Sequence, residues 1–178
     1  MALHTLAVLV DNSPGVLARV AGLFSRRAFN IDSLAVGPTE NPEISRMTIV
    51  VNVEGHVLEQ VIRQLDKLIN VIHIAEMKPA TSTSAELLMV KVKNSAEAKS
   101  LAGKFNAKVV DESDDSITIE ATGSPEKLAE LLGSLKKIGI KELVQSGLVA
   151  LERGATALSE RTLEIQSVST DTQADYQN

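Results

Sequence analysis

Val10-Asp11-Asn12-Ser13-Pro14-Gly15-Val16-Leu17 joins an apolar run to a helical pattern, and its reading decides the fold. The run before it, Leu3 to Val10, is short enough for a buried strand. From Pro14 the period changes: Val16, Leu17, Val20, Leu23 and Phe24 fall on one helical face. A polar turn therefore opens directly onto a helix. Pro14 suits the first helical position, where a missing N–H is no loss, and Ser13 or Asn12 is placed to cap it. Gly15 adds no side chain, so the first-turn amides stay open. Open amides at the positive end of a helix favour a small anion such as a carboxylate.

Outward from this turn the period alternates. Phe29 to Val36 reads as a second strand, and residues 37–42 as a loop rich in Gly and Pro. Met47, Ile49, Val51 and Val53 alternate with polar residues, as in a strand with one buried face. Val57, Leu58, Val61, Ile62, Leu65, Leu68 and Ile69 mark a second helix, and Val71 to Met77 a fourth strand. The order is β-α-β-β-α-β, the ferredoxin-like arrangement, over residues 1–78.

Residues 79–85 read as a polar linker, and a similar order follows over 86–154. Leu87 to Val92, Lys108 to Val110 and Ile117 to Ala121 read as strands. Ser95 opens a short helix, and Ser124-Pro125-Glu126 is a helix start by cap, proline and early acid. Moving Leu58, Val61, Ile62, Leu65 and Leu68 on by seventy positions lands on Leu128, Leu131, Leu132, Leu135 and Ile138. This echo points to a second copy of the half-fold, although shared helical periodicity alone gives the same echo. The expected fold class is α+β, two ferredoxin-like domains in tandem. Residues 155–178, poor in apolar anchors, read as a disordered tail.

Composition removes several function classes. The net charge of −5 comes without a basic stripe, which argues against nucleic acid. With no cysteine, disulfides and thiolate metal sites are excluded. No secretory leader or membrane-length apolar run is present, so a soluble cytoplasmic protein is expected. His4, His56 and His73 are scattered and pair with no carboxylate at ligand spacing, so no metal site is expected. Ser25, Ser33 and Ser45 lack a neighbouring base, and no catalytic residue is assigned. The acids Asp111, Glu112, Asp114 and Asp115 read as a solvated hairpin turn.

In this strand order the second strand lies at a sheet edge, with unpaired backbone groups. Two copies joined along that edge by a two-fold axis would make one continuous sheet. Asn30 and Ile31 of one copy would then approach the Asn12–Leu17 turn of the other. The candidate ligand site is accordingly Asn12, Ser13, Pro14, Gly15, Val16, Leu17, Asn30 and Ile31, which the family resemblance described next implies to be an effector site.

Several blocks carry a specific resemblance. Asp11 to Val20, Gly22 to Arg27, Asn30 to Leu34 and Ser45 to Ile49 are similar to the regulatory (small) subunit family of acetolactate synthase, also called acetohydroxyacid synthase. Leu88 to Val92, Ala107 to Asp111 and Gly147 to Gly154 resemble that family's C-terminal domain. The resemblance implies an ACT domain at residues 1–78. It implies a homodimer through ACT domains, activation of a large catalytic subunit, and feedback inhibition by a branched-chain amino acid, typically valine. Thiamine diphosphate, FAD and magnesium would belong to the catalytic subunit, with no cofactor in this chain. Ala28 stands where the family usually has glycine, so the turn into the second strand is expected to differ in shape. The competing reading is a stand-alone ACT-type amino-acid sensor serving another enzyme or a transcription factor. RNA-recognition and acylphosphatase-type readings share the topology. The former lacks aromatics in its third strand, and the latter lacks an arginine in the first turn.

Overall fold

The computed structural model describes residues 2–160; the expected disorder of Ser167 to Asn178 lies outside the described residues. The first sheet contains β1 (Ala2–Asp11), β2 (Ser33–Pro38), β3 (Ile44–Val53) and β4 (Val71–Glu76), in the order β2-β3-β1-β4. Helices α1 (Val16–Arg26) and α2 (Gly55–Leu65) cover one face. Leu6, Val8 and Val10 of β1 and Met47, Ile49 and Val51 of β3 interlock there with Val20, Phe24, Leu58, Val61 and Leu65. All pairings in this sheet are antiparallel.

The second sheet repeats the plan. It contains β5 (Ser82–Lys93), β6 (Lys108–Glu112), β7 (Ser116–Gly123) and β8 (Ile140–Gln145), in the order β6-β7-β5-β8, with β9 (Val149–Glu152) also paired to β5. Helices α3 (Ala96–Lys104) and α4 (Pro125–Leu135) supply the other half of its core. There Leu128, Leu131 and Leu135 meet Leu88, Val90, Ile117 and Ile119. The fold is thus α+β with two tandem βαββαβ units, as the periodicities require.

The described residues divide into one compact unit of residues 2–83 together with 150–160, and a second of Ser84–Val149. β5 begins at Ser82, inside the stretch read as linker. Ser82 is buried and its hydroxyl donates to the Lys78 carbonyl at 2.6 Å. Residues 150–154, read as the end of the second domain, and residues 155–160, read as the start of the tail, lie in the first unit. Ala150 and Leu158 pack with Ala7, Ala75 and Met77 in a small apolar cluster.

Two boundaries differ from the sequence reading for clear reasons. Helix α1 starts at Val16, not at Pro14, because Gly15 is left-handed (φ +84°) and a helix cannot run through it. β2 starts at Ser33 rather than Phe29. Phe29 and Ile31 are apolar because they pack on the first core from the connecting loop. At the other end β2 extends through Gly37-Pro38, which an edge strand tolerates because proline's missing donor can face outward.

The α1 and α3 termini repeat each other in detail. The Phe29 N–H donates to the Phe24 carbonyl and the Ala28 N–H to the Ser25 carbonyl, both at 3.1 Å. In α3 the Ala107 N–H reaches Ala102 O at 2.8 Å and the Asn106 N–H reaches Gly103 O at 3.1 Å. Each is a Schellman closure around one left-handed residue, Ala28 (φ +54°) or Asn106 (φ +53°). A Cβ in that conformation costs roughly 1–2 kcal/mol, while glycine loses about 0.5–1 kcal/mol through its freer unfolded chain. Ala28→Gly is therefore expected to stabilise the protein by about 0.5 kcal/mol. Urea unfolding checks it; a lower midpoint would contradict the strain.

Candidate effector site

The end of β1 delivers the chain into residues 12–15, and Gly15 turns it into α1. The first intrahelical bond runs from the Arg19 N–H to the Gly15 carbonyl at 3.0 Å, and the Val16 N–H points to Ser13 O at 3.4 Å. No side chain caps α1, and no acidic residue occupies its first turn. The Leu17 and Ala18 amides consequently donate to no acceptor among the described residues. In α3 and α4 one such amide is filled: Ser95 Oγ accepts from Ala98 N at 3.1 Å, and Ser124 Oγ from Lys127 N at 3.3 Å, whereas α2 shares with α1 the lack of a side-chain cap. Uncapped donors at a positive helix end form an anion-receptive turn. The second unit, built on the same plan, closes the equivalent turn with Ser95.

Asn12 and Ser13 do not cap the helix. The Asn12 Nδ2 donates to the Pro42 carbonyl at 2.8 Å, and its N–H to Glu43 O at 2.7 Å. Asn12 thereby fastens the β2–β3 loop beside the turn. Ser13, Pro14 and Gly15 are exposed. The Val16 side chain is buried in the core, so only Leu17, 44% exposed, offers an aliphatic surface at the rim.

Asn30 and Ile31 lie in the loop ahead of β2, not within the strand as expected. Asn30 is exposed and its Nδ2 donates to Asp32 Oδ1, while Ile31 packs partly on the core. Within the chain no hydrogen bond among the described residues joins Asn30 to the 12–17 turn. The two halves of the predicted site are therefore not united by one copy of the chain.

Sequence reasoning missed the support behind the turn. Arg19 donates to the Asn70 side-chain oxygen, and Asn70 Nδ2 donates to Asp11 Oδ2 at 2.9 Å. The Asp11 N–H also reaches Asn70 O at 2.9 Å. This network ties the end of β1, the first turn of α1 and the entry to β4. No local pattern marks Asn70; only the β1–β4 pairing brings it there. Among the described residues no group of three or more His, Asp or Glu side chains is placed to hold a metal. No described helix is long and apolar enough to cross a membrane.

Comparison with known proteins gives this geometry its context. Residues 6–73 match the family model described as the AHAS small subunit-like ACT domain. Residues 85–154 match the family model described as the small subunit of acetolactate synthase. The acetolactate synthase small subunit of Mycolicibacterium smegmatis is 56% identical over 155 residues, covering 85% of this chain and 91% of that protein. A probable acetolactate synthase small subunit of Archaeoglobus fulgidus is 49% identical over 155 residues, covering 85% and 97%. The crystal structure of the Thermotoga maritima acetolactate synthase small subunit superposes with a TM-score of 0.82 at 32% identity, covering 88% of this chain and all of that one. With both units matched in order, this chain belongs to the acetolactate synthase small-subunit family, its first unit being an ACT domain.

Proposed function

We propose that this chain is the regulatory subunit of an acetolactate synthase, activating the catalytic subunit and making it sensitive to a branched-chain amino acid, valine first. Thiamine diphosphate, FAD and magnesium are assigned to the catalytic subunit. Two first units pair along β2, and the effector lies in the seam. Its carboxylate rests on the Leu17 and Ala18 amides, its aliphatic side chain against Leu17, and its ammonium near Asn30 of the other copy. The observation that carries this reading is the pair of uncapped amides beneath Gly15. The names of the relatives support the choice of partner enzyme.

Regulation follows from linkage. The effector binds one arrangement of the paired units more tightly, and that arrangement holds the enzyme less active. Coupling is then no larger than the difference in affinity. Calorimetric titration with valine, leucine and isoleucine, with and without the large subunit, tests the reading. Asn30→Ala is expected to weaken valine binding by about 1–3 kcal/mol, the loss of a contact buried in the seam. Unchanged titration by that variant would move the ammonium elsewhere. Failure of the chain to associate with the large subunit or stimulate it would leave a stand-alone sensor.

A further inference from the structure

We propose that a cavity around Arg46, separate from the seam, is a second binding site for a small aliphatic monocarboxylate. The cavity has a volume of about 400 Å³, and its lining residues all belong to the first unit. That volume lies within the usual range for small-molecule sites. Its floor is the sheet face opposite the helices, where Leu9, Ile44 and Met77 line it; its other wall is the segment from Leu151 to Ser159.

Arg46 supplies the polar anchor. Its Nη2 donates to the Ala150 carbonyl at 2.6 Å and approaches Met77 Sδ at 3.9 Å. A guanidinium has five N–H donors and suits carboxylates. Yet no carboxylate of the described residues lies within ion-pair distance of Arg46. Burial pushes its pKa below the ordinary arginine value, with the Glu40 charge acting in the opposite sense. A partly desolvated cation without a contacting counter-ion is an electrostatic vacancy, which a bound carboxylate fills. Leu9, Ile44 and Leu158 offer surface to an aliphatic body, while the carboxylates of Glu40 and Glu152 also line the cavity and disfavour a second negative charge on the ligand.

This site also lies where it can communicate. Pro38, Thr39 and Glu40 line it from the end of β2 and the loop that follows. The same loop is fastened by Asn12 through Pro42 and Glu43. The cavity and the turn at Gly15 therefore share one connecting loop.

The test uses the full chain carrying Gly15→Asp, which removes the seam's anion acceptor, titrated calorimetrically with 3-methylbutanoate and with valine. Saturable 3-methylbutanoate binding is expected to persist in that background. Adding Arg46→Met should weaken it at least about tenfold, the size of a lost charge-assisted hydrogen bond, and Arg46→Lys should recover part. Ala157→Trp, at an exposed position lining the cavity, should block it with Arg46 left in place and the thermal midpoint unchanged. That variant decides the matter if Arg46→Met fails to fold. Tighter binding of valine would identify an amino acid, with Glu40 holding its ammonium; weaker binding would identify a carboxylate without the amine. Either result supports the site. No saturable binding, or equal affinity in Ala157→Trp, overturns it. Binding that requires Gly15 intact overturns it too, while leaving the seam reading in place.

Discussion

Gly15→Asp is expected to leave the chain folded and to weaken valine binding about a hundredfold or more. The fold tolerates it because a Cβ built on Gly15 meets nothing within 4 Å. The left-handed backbone there (φ +84°) is strained for a side chain, but aspartate is among the residues that accept it. The new carboxylate would also accept from the empty Leu17 and Ala18 amides, as caps do, for about 1 kcal/mol. What stabilises the helix removes the ligand. Two like charges about 4 Å apart near a protein surface repel by about 4 kcal/mol, enough for the stated loss. Gly15→Asn has nearly the same shape, accepts the same backbone and carries no charge, so its deficit should be much smaller. Circular dichroism verifies folding, and valine inhibition of the reconstituted enzyme reads the site. Equal titration by the aspartate variant and the parent would place the carboxylate elsewhere.

Much of this was legible because periodicity reports burial. The strand order follows from alternation in β3, the i, i+3, i+4 faces of α1 and α2, and the repeat of the α2 pattern seventy positions later in α4. Legibility failed where apolar residues serve loops. Phe29 and Ile31 look like strand residues but close a Schellman turn and a core edge. The helix start failed differently: proline and serine are ordinary caps, and only the left-handed Gly15 moves the boundary past them. That displacement leaves the amides uncapped, so the misread boundary and the candidate site have one cause. Asn70 and the contact between Arg46 and Ala150 were out of reach for another reason. They join residues far apart in sequence, through β-pairing and packing that no local window contains.

Val36→Lys is expected to abolish dimerisation at micromolar concentration and, with it, to weaken valine binding at least about tenfold. The choice of strand rests on charge. Of the strands at sheet edges, β4 carries Glu76, β6 carries Lys108, Asp111 and Glu112, and β8 carries Lys141 and Glu142. β2, Ser33-Leu34-Ala35-Val36-Gly37-Pro38, carries no charged side chain. Charged residues on an edge discourage pairing with another chain, so the uncharged edge is the one open to it. Val36 is 45% exposed there, and lysine at that position costs the single chain little, within about 0.5 kcal/mol. Across a two-fold axis each lysine would bring its copy, and the pair would repel and hold water in the seam. Valine would then lose Asn30 of the second copy while keeping the Leu17 and Ala18 amides, so binding falls without vanishing. Sedimentation with titration of the same sample separates the possibilities. Gly15→Asp should remain dimeric and lose valine, whereas Val36→Lys should lose both together. A monomeric Val36→Lys chain that bound valine like the parent would confine the effector to one copy, and the seam would have no part in recognition.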